Sequence, residues 1–220
     1  MKKIISIATL LTLIILIATS CSKHSIRGSG STVIEPRSIG SFTTIQSNAD
    51  IKIFISYGIA QKVEVKGYEN LVAITETNVA NNKLTIRYND KYFNVRNSNI
   101  ELYITIPVLT AAATTGSGDV WINGFRNAAT LDAMINGSSN FNISNCSYTM
   151  SRFDVNGSGN IKASGLTAKN TEATIHGSGD IEISCSDNLK ARIYGSGEIR
   201  YWGNPLLDVQ ISGSGRVRKQ

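Results

Sequence analysis

The sequence predicts an all-β fold, a β-solenoid of about six coils, each 18–21 residues long, and three observations carry that prediction. A glycine-serine phrase followed by a polar residue recurs at Gly116, Gly137, Gly157, Gly177, Gly195 and Gly213, at intervals of 21, 20, 20, 18 and 18 residues. Such constancy marks an internal repeat. Apolar residues alternate with period two on both sides of each phrase, as in Phe153 and Val155 before Gly157, and Ile161 and Ala163 after Gly159. That is the strand signal. In this repeat the glycines share the parity of the flanking apolar residues, so they turn inward at a corner where positive φ or close backbone approach excludes a Cβ. One repeat cannot bury its own apolar face, so the coils must stack about 4.8 Å apart. A β-sandwich with Ser-Gly hairpins is the alternative.

The chain opens with Met1, Lys2 and Lys3, then an apolar run from Ile4 to Ile17, then Ala18-Thr19-Ser20-Cys21. Residues 1–20 read as an export signal removed on maturation. Small residues directly before a cysteine resemble the bacterial lipobox, although Ala18 stands where leucine is commoner. The resemblance implies diacylation of Cys21 and a chain anchored in the envelope by several acyl chains. Cleavage without lipidation and an uncleaved anchor are the alternatives. Residues 21–40 are polar, with Gly28-Ser29-Gly30 and Pro36, and read as a flexible tether.

Residues 41–109 form an N-terminal β region without the glycine phrase. Runs at Ile51–Ile55, Val63–Val65, Leu84–Tyr88 and Ile100–Ile106 alternate apolar with polar, separated by turn signals at Tyr57-Gly58, Asn81-Asn82 and Asn89-Asp90. They predict antiparallel hairpins that cap or continue the solenoid, which occupies residues 110–220.

The combination of Phe42, Ile45, Ile51, Ile53, Ile55, Gly58, Val63 and Val65, then Glu69-Asn70-Leu71, Asn82–Ile86, Ile104–Pro107 and the later Gly-Ser-Gly-Asp phrases resembles the auto-transporter adhesin family with a head GIN domain. The resemblance spans about residues 41–218. It implies a solenoid-like fold in secreted or lipid-anchored envelope proteins, and brings no catalytic or binding residues with it.

The precursor carries a net charge of +6, which falls by two when Lys2 and Lys3 leave with the leader. Part of the remainder is local to Arg216, Arg218 and Lys219, a basic end suited to protecting the last coil from edge pairing. No basic helix or interleaved aromatic module points to nucleic acid. Beyond Cys21 only Cys146 and Cys185 remain. They fall two coils apart, roughly 10 Å along the stack, too far for a disulfide, so two free buried thiols are expected.

Candidate chemistry is sparse. The residues after each phrase, Asp119, Asn140, Asn160, Asp180, Glu198 and Arg216, would form one outward polar row. The row mixes carboxylate, amide and guanidinium, which suits a solvated ladder better than a calcium site. His24 lies in the predicted tether and His176 beside Gly177, leaving no nucleophile with a base in reach. Glu172, Asp180, Glu182 and Arg192 could cluster as in polysaccharide-degrading solenoids, the weakest of the readings. No catalytic residue, metal site or cofactor is expected. The sequence reads as a lipid-anchored envelope module, on the outer membrane by analogy, that binds glycans or envelope proteins. A self-associating scaffold is the alternative.

Overall fold

The computed structural model describes residues 24–220; the leader and Cys21 lie outside them. Among the described residues ten strands run up to Gly116, where the first glycine phrase opens: β1 His24–Arg27, β2 Thr32–Pro36, β3 Thr44–Ser47, β4 Lys52–Tyr57, β5 Lys62–Tyr68, β6 Thr75–Ala80, β7 Lys83–Tyr88, β8 Tyr92–Arg96, β9 Glu101–Ile106 and β10 Ala111–Gly116. One short helix, α1 (Glu69–Val72), follows β5. The repeat region supplies β11 Val120–Asn123, β12 Ala128–Gly137, β13 Asn140–Gly157, β14 Asn160–Gly177, β15 Asp180–Gly195, β16 Glu198–Trp202, β17 Leu206–Gly213 and β18 Arg216–Lys219.

The repeats stack in parallel register, glycine on glycine: Gly116 pairs with Gly137, Gly137 with Gly157, and so on through Gly177 and Gly195 to Gly213. Six phrases separated by five steps give about five turns of solenoid, slightly fewer than the six coils the spacing suggests. Each of these glycines has positive φ, +134° at Gly157 and Gly177. A Cβ on Gly177 would sit 2.2 Å from the carbonyl oxygen of Gly157. The corner is therefore closed to side chains by the level beneath it.

Inside, columns of aligned side chains run the length of the stack. Leu102, Ile53, Val120, Phe141, Ile161, Ile181, Ile199 and Val217 form one, by successive pairings across β9, β4, β11, β13, β14, β15, β16 and β18. Leu84, Ile45, Ala112, Ala133, Phe153, Ala173, Ala191 and Val209 form another on the opposite side of the corner. Phe153 stands between two alanines, so its ring fills volume that their methyls leave. The buried side chains make one contiguous core from Phe42 to Tyr201.

Two expectations need correction. Residues 41–109 do contain antiparallel pairs, β5 with β9 and β6 with β7. Their centre, however, is more solenoid: β3 pairs in parallel with β7 and β10, and β4 in parallel with β9 and β11. The coil built from β3 and β4 lies between the β7/β9 level and the first glycine-phrase coil, out of sequence order. Its corner, Ser47 to Ile51, turns without a glycine, Ser47 donating to the Ala49 carbonyl at 3.3 Å.

Nor are residues 24–40 a free tether. β1 pairs in parallel with β8, and β2 antiparallel with β5. The turn between them is tied down by side chains from elsewhere: Asn70 donates to the Arg27 carbonyl at 2.8 Å and Asn97 to the Gly28 carbonyl at 3.0 Å. Four- and five-residue strands flanked by Gly, Ser and Pro leave little periodicity to read, and their partners are distant in sequence.

Cys146 and Cys185 are both free and buried. Cys146 lies on the level of Asn140, and Cys185 two ladder steps on, at the level of Asp180.

Because the corner is filled by backbone, Gly177→Ala should destabilise the protein by about 2–4 kcal/mol. Gly40→Ala, where the nearest atom to the new Cβ lies at 3.9 Å, should be near neutral. Urea unfolding of residues 22–220 compares the two, and equal midpoints would refute the packing argument.

Candidate functional site

The strand after each corner points its first residue outward, so the parallel register fixes the predicted polar row as a real column. Asn140 donates backbone and side-chain N–H to Asp119 Oδ1, both at 3.0 Å. Asn160 donates to Asn140 Oδ1 at 2.9 Å, and the Asp180 backbone N–H to Asn160 Oδ1 at 3.0 Å. The Glu198 N–H reaches Asp180 Oδ1 at 2.9 Å, and Arg216 and Arg218 pair with Glu198 at 3.3 and 3.2 Å. All five members before Arg216 are half-buried. Each level thus uses an oxygen of the level before it, and the row is a ladder that ties coils together. Among the described residues no three carboxylate, imidazole or thiol groups gather as a metal site would require.

The remaining predicted carboxylates separate onto two sides. Glu172 stands between Arg152 (3.5 Å) and Lys190 (3.8 Å) in an alternating ladder with Asp132. Asp180 and Glu182 face Arg200 at 3.9 and 2.7 Å, and Arg192 pairs with Asp208. The four residues considered together from sequence do not converge. His176 is exposed and stacks on Tyr194, 4.7 Å between ring centres.

What the sequence reading missed lies at the N-terminal end of the same outer face. The polar row continues from Asp119 through Lys52 to Glu101, since β4 pairs with β11 and β9. Two residues further along those strands stand Trp121, Phe54 and Tyr103, stacked at 4.7 and 5.0 Å with their planes within 15°. The three come from distant segments, so no local pattern announces them. Each does sit two positions after a member of the polar row, a signal visible once the register is known. The stacking uses both faces of Phe54 and one face each of Trp121 and Tyr103, and the ring edges make an apolar strip about 7 Å from the polar row.

Beside this strip is a polar groove of about 410 Å³, walled by Asp50, Lys52, Asn97, Asn99, Ser117 and Asp119. Glu101 marks its boundary with the aromatic strip. Its carboxylate accepts from Tyr103 at 2.7 Å and from Lys66 at 3.0 Å. The Tyr103 hydrogen bond and then Lys66 hold it below the ordinary glutamate range, while the same bond raises the Tyr103 phenol. Lys66 also lies over the Tyr103 ring, 5.9 Å from its centre.

Fold and surface together define a β-solenoid that presents long ladders of side chains, with a polar groove and an aromatic strip at its N-terminal end. The chain belongs to the family described as "Putative auto-transporter adhesin, head GIN domain", whose model matches residues 41–205. Among solved structures it is similar to a putative adhesin from Bacteroides fragilis, with 23% identity, a TM-score of 0.74, and coverage of 89% of this chain and 100% of that one. A putative adhesin from Parabacteroides distasonis gives 23% identity and a TM-score of 0.55, covering 90% of this chain and 100% of that one. A putative lipid binding protein from Parabacteroides distasonis gives 20% identity and a TM-score of 0.54 over the same shares. At these identities the likeness shows the fold. No curated protein matches the sequence. Among the described residues no helix is long and apolar enough to cross a membrane.

The Glu101 triad makes a measurable prediction. Its folded-state pKa is depressed, so its contribution to stability is present above the unfolded value and is lost as pH falls through the folded one. Tyr103→Phe removes the largest cause and should move the Glu101 titration, followed by carbonyl carbon NMR, up toward the ordinary range. No movement would show that Lys66 alone sets it.

Proposed function

We propose that this protein is a lipid-anchored, non-catalytic binding module of the bacterial envelope, held through Cys21 on the outer membrane, and that its ligands are glycans. The observation that carries the reading is the pairing of the polar groove with the aromatic strip. Asp50, Lys52, Asn97, Asn99 and Ser117 bring carboxylate, ammonium, amide and hydroxyl groups to one wall, the mixture that hydroxyl-rich ligands satisfy. The edges of Trp121, Phe54 and Tyr103 offer an apolar surface beside it for the C–H faces of a sugar. The family's adhesin description and the likeness to adhesin structures support binding over catalysis. Recognition of this kind needs only positioned polar groups and apolar contact. Affinity per site would be weak, and display of many anchored copies on one surface would supply the strength.

The test is a glycan array probed with residues 22–220 displayed at high valency. Binding to a defined glycan class is expected, weakened about tenfold by Trp121→Ala, a loss of ~1.4 kcal/mol. Binding to no glycan, or binding indifferent to both Trp121→Ala and Asn99→Ala, would remove this reading.

The second reading, a scaffold that self-associates, is favoured by the last coil. Among the described residues β17 pairs only with β15 and β18 only with β16. Leu207, Val209 and Ile211 continue the inward columns yet remain 48, 42 and 41% exposed, with Leu206 at 77%. The basic residues of β18 guard one edge, but β17 carries no lysine, arginine or proline to guard the other. If the scaffold reading holds, light scattering should show mass rising with concentration and Val209→Lys should abolish the rise. A strictly monomeric protein at all concentrations would exclude it.

A further inference from the structure

We propose that the ribbon formed by β1 and β8 lies flat on the bilayer that carries the acylated Cys21, as a second, non-covalent membrane contact. This rests on the lipid-anchor reading of Cys21.

The argument begins with chain length. A free tether of some twenty residues would let the folded body wander from the membrane, but the fold starts at His24, whose N–H donates to the Lys91 carbonyl at 2.8 Å. Three residues of extended chain reach on the order of 10 Å. An acyl group on Cys21 therefore holds β1, and its parallel partner β8, at the depth of the headgroups.

The composition of the ribbon suits that position. Its strands, His-Ser-Ile-Arg and Tyr-Phe-Asn-Val-Arg, contain no acidic residue. Arg27, Lys91 and Arg96 are exposed along it. Two acids lie nearby: Asp90, engaged by Arg87, and Asp50, which lines the groove shared with Tyr92 and Phe93. Phe93 is 65% exposed, whereas Ile26, Tyr92 and Val95 pack partly against the core. The ribbon is thereby fixed to the body while one aromatic ring and three cations face outward. Anionic phospholipid headgroups attract such cations within a Debye length, and an aromatic ring at the interface adds apolar burial. β1 and β8 form their own two-stranded sheet, apart from the main one, so the ribbon can be covered without disturbing the solenoid.

The experiment uses the full lipoprotein in vesicles of phosphatidylethanolamine and phosphatidylglycerol. Ser25→Cys, which leaves Phe93 in place, and Leu206→Cys are each labelled with an environment-sensitive dye; both positions are exposed, and the native thiols are buried. Nitroxide lipids should quench the dye at 25 about threefold or more above the dye at 206, and Arg27→Glu with Lys91→Glu should reduce that difference. Intact mass and release by Cys21→Ser report separately on the anchor. Acylated, vesicle-bound protein with equal quenching at 25 and 206 would overturn the ribbon contact and leave the anchor standing. A chain without acyl mass would overturn both.

Discussion

Everything in this structure depends on one close approach. At each glycine corner from Gly137 to Gly213 the carbonyl of the preceding glycine occupies the space where a Cβ would be, 2.3 Å away at Gly157 and 2.2 Å at Gly177. With positive φ at the same residues, the corner admits only glycine on both steric and conformational grounds. Because the corners nest, the levels align without slippage. A one-residue slip would turn every apolar side chain outward, and the nested glycines exclude it.

Fixed register has a consequence for the surface. Side chains at equal positions form columns one ladder spacing apart, so each column can satisfy itself. The polar row does so through amide and carboxylate oxygens that accept from the next level, the Glu172 column through alternating charge, and Tyr103, Phe54 and Trp121 through ring stacking. A column that has spent its hydrogen bonds internally offers little to a ligand. The two proposed recognition surfaces lie instead toward the ends of the columns, at the N-terminal groove and at the open last coil.

This logic also separates what the sequence disclosed from what it did not. The glycine phrase is short, repeated and sterically obligatory, so the solenoid, its inward columns and the row from Asp119 to Glu198 could be read directly. The level formed by β3 and β4 could not, because Ser47 to Ile51 turns its corner with a side-chain hydrogen bond instead of glycine, and because that level is inserted out of chain order. The aromatic strip shares the difficulty: residues 54, 103 and 121 become neighbours only after the insertion is known. Strands β1 and β2 are too short to show a period, and their stability comes from β8, β5, Asn70 and Asn97.

The two ends of the stack are built on opposite principles, and this gives the molecule a direction. At the N-terminal end, β2 closes one side with Pro36 in its edge, β6 turns back antiparallel on β7, and α1 buries Leu71 and Val72. At the other end the columns stop without a cover, at Val209 and Ile211 on one side and Val217 on the other. If Cys21 carries the proposed anchor, three residues before β1, the covered end is the one held at the membrane. The groove and aromatic strip then sit on the membrane-proximal levels, while the uncovered coil projects farthest from it. A ligand reaching the groove would have to be close to the same surface, as envelope glycans are, whereas the distal coil is placed to meet a second molecule standing farther out. The glycan and self-association readings thus draw on opposite ends of one rod, and engagement at either end leaves the other free.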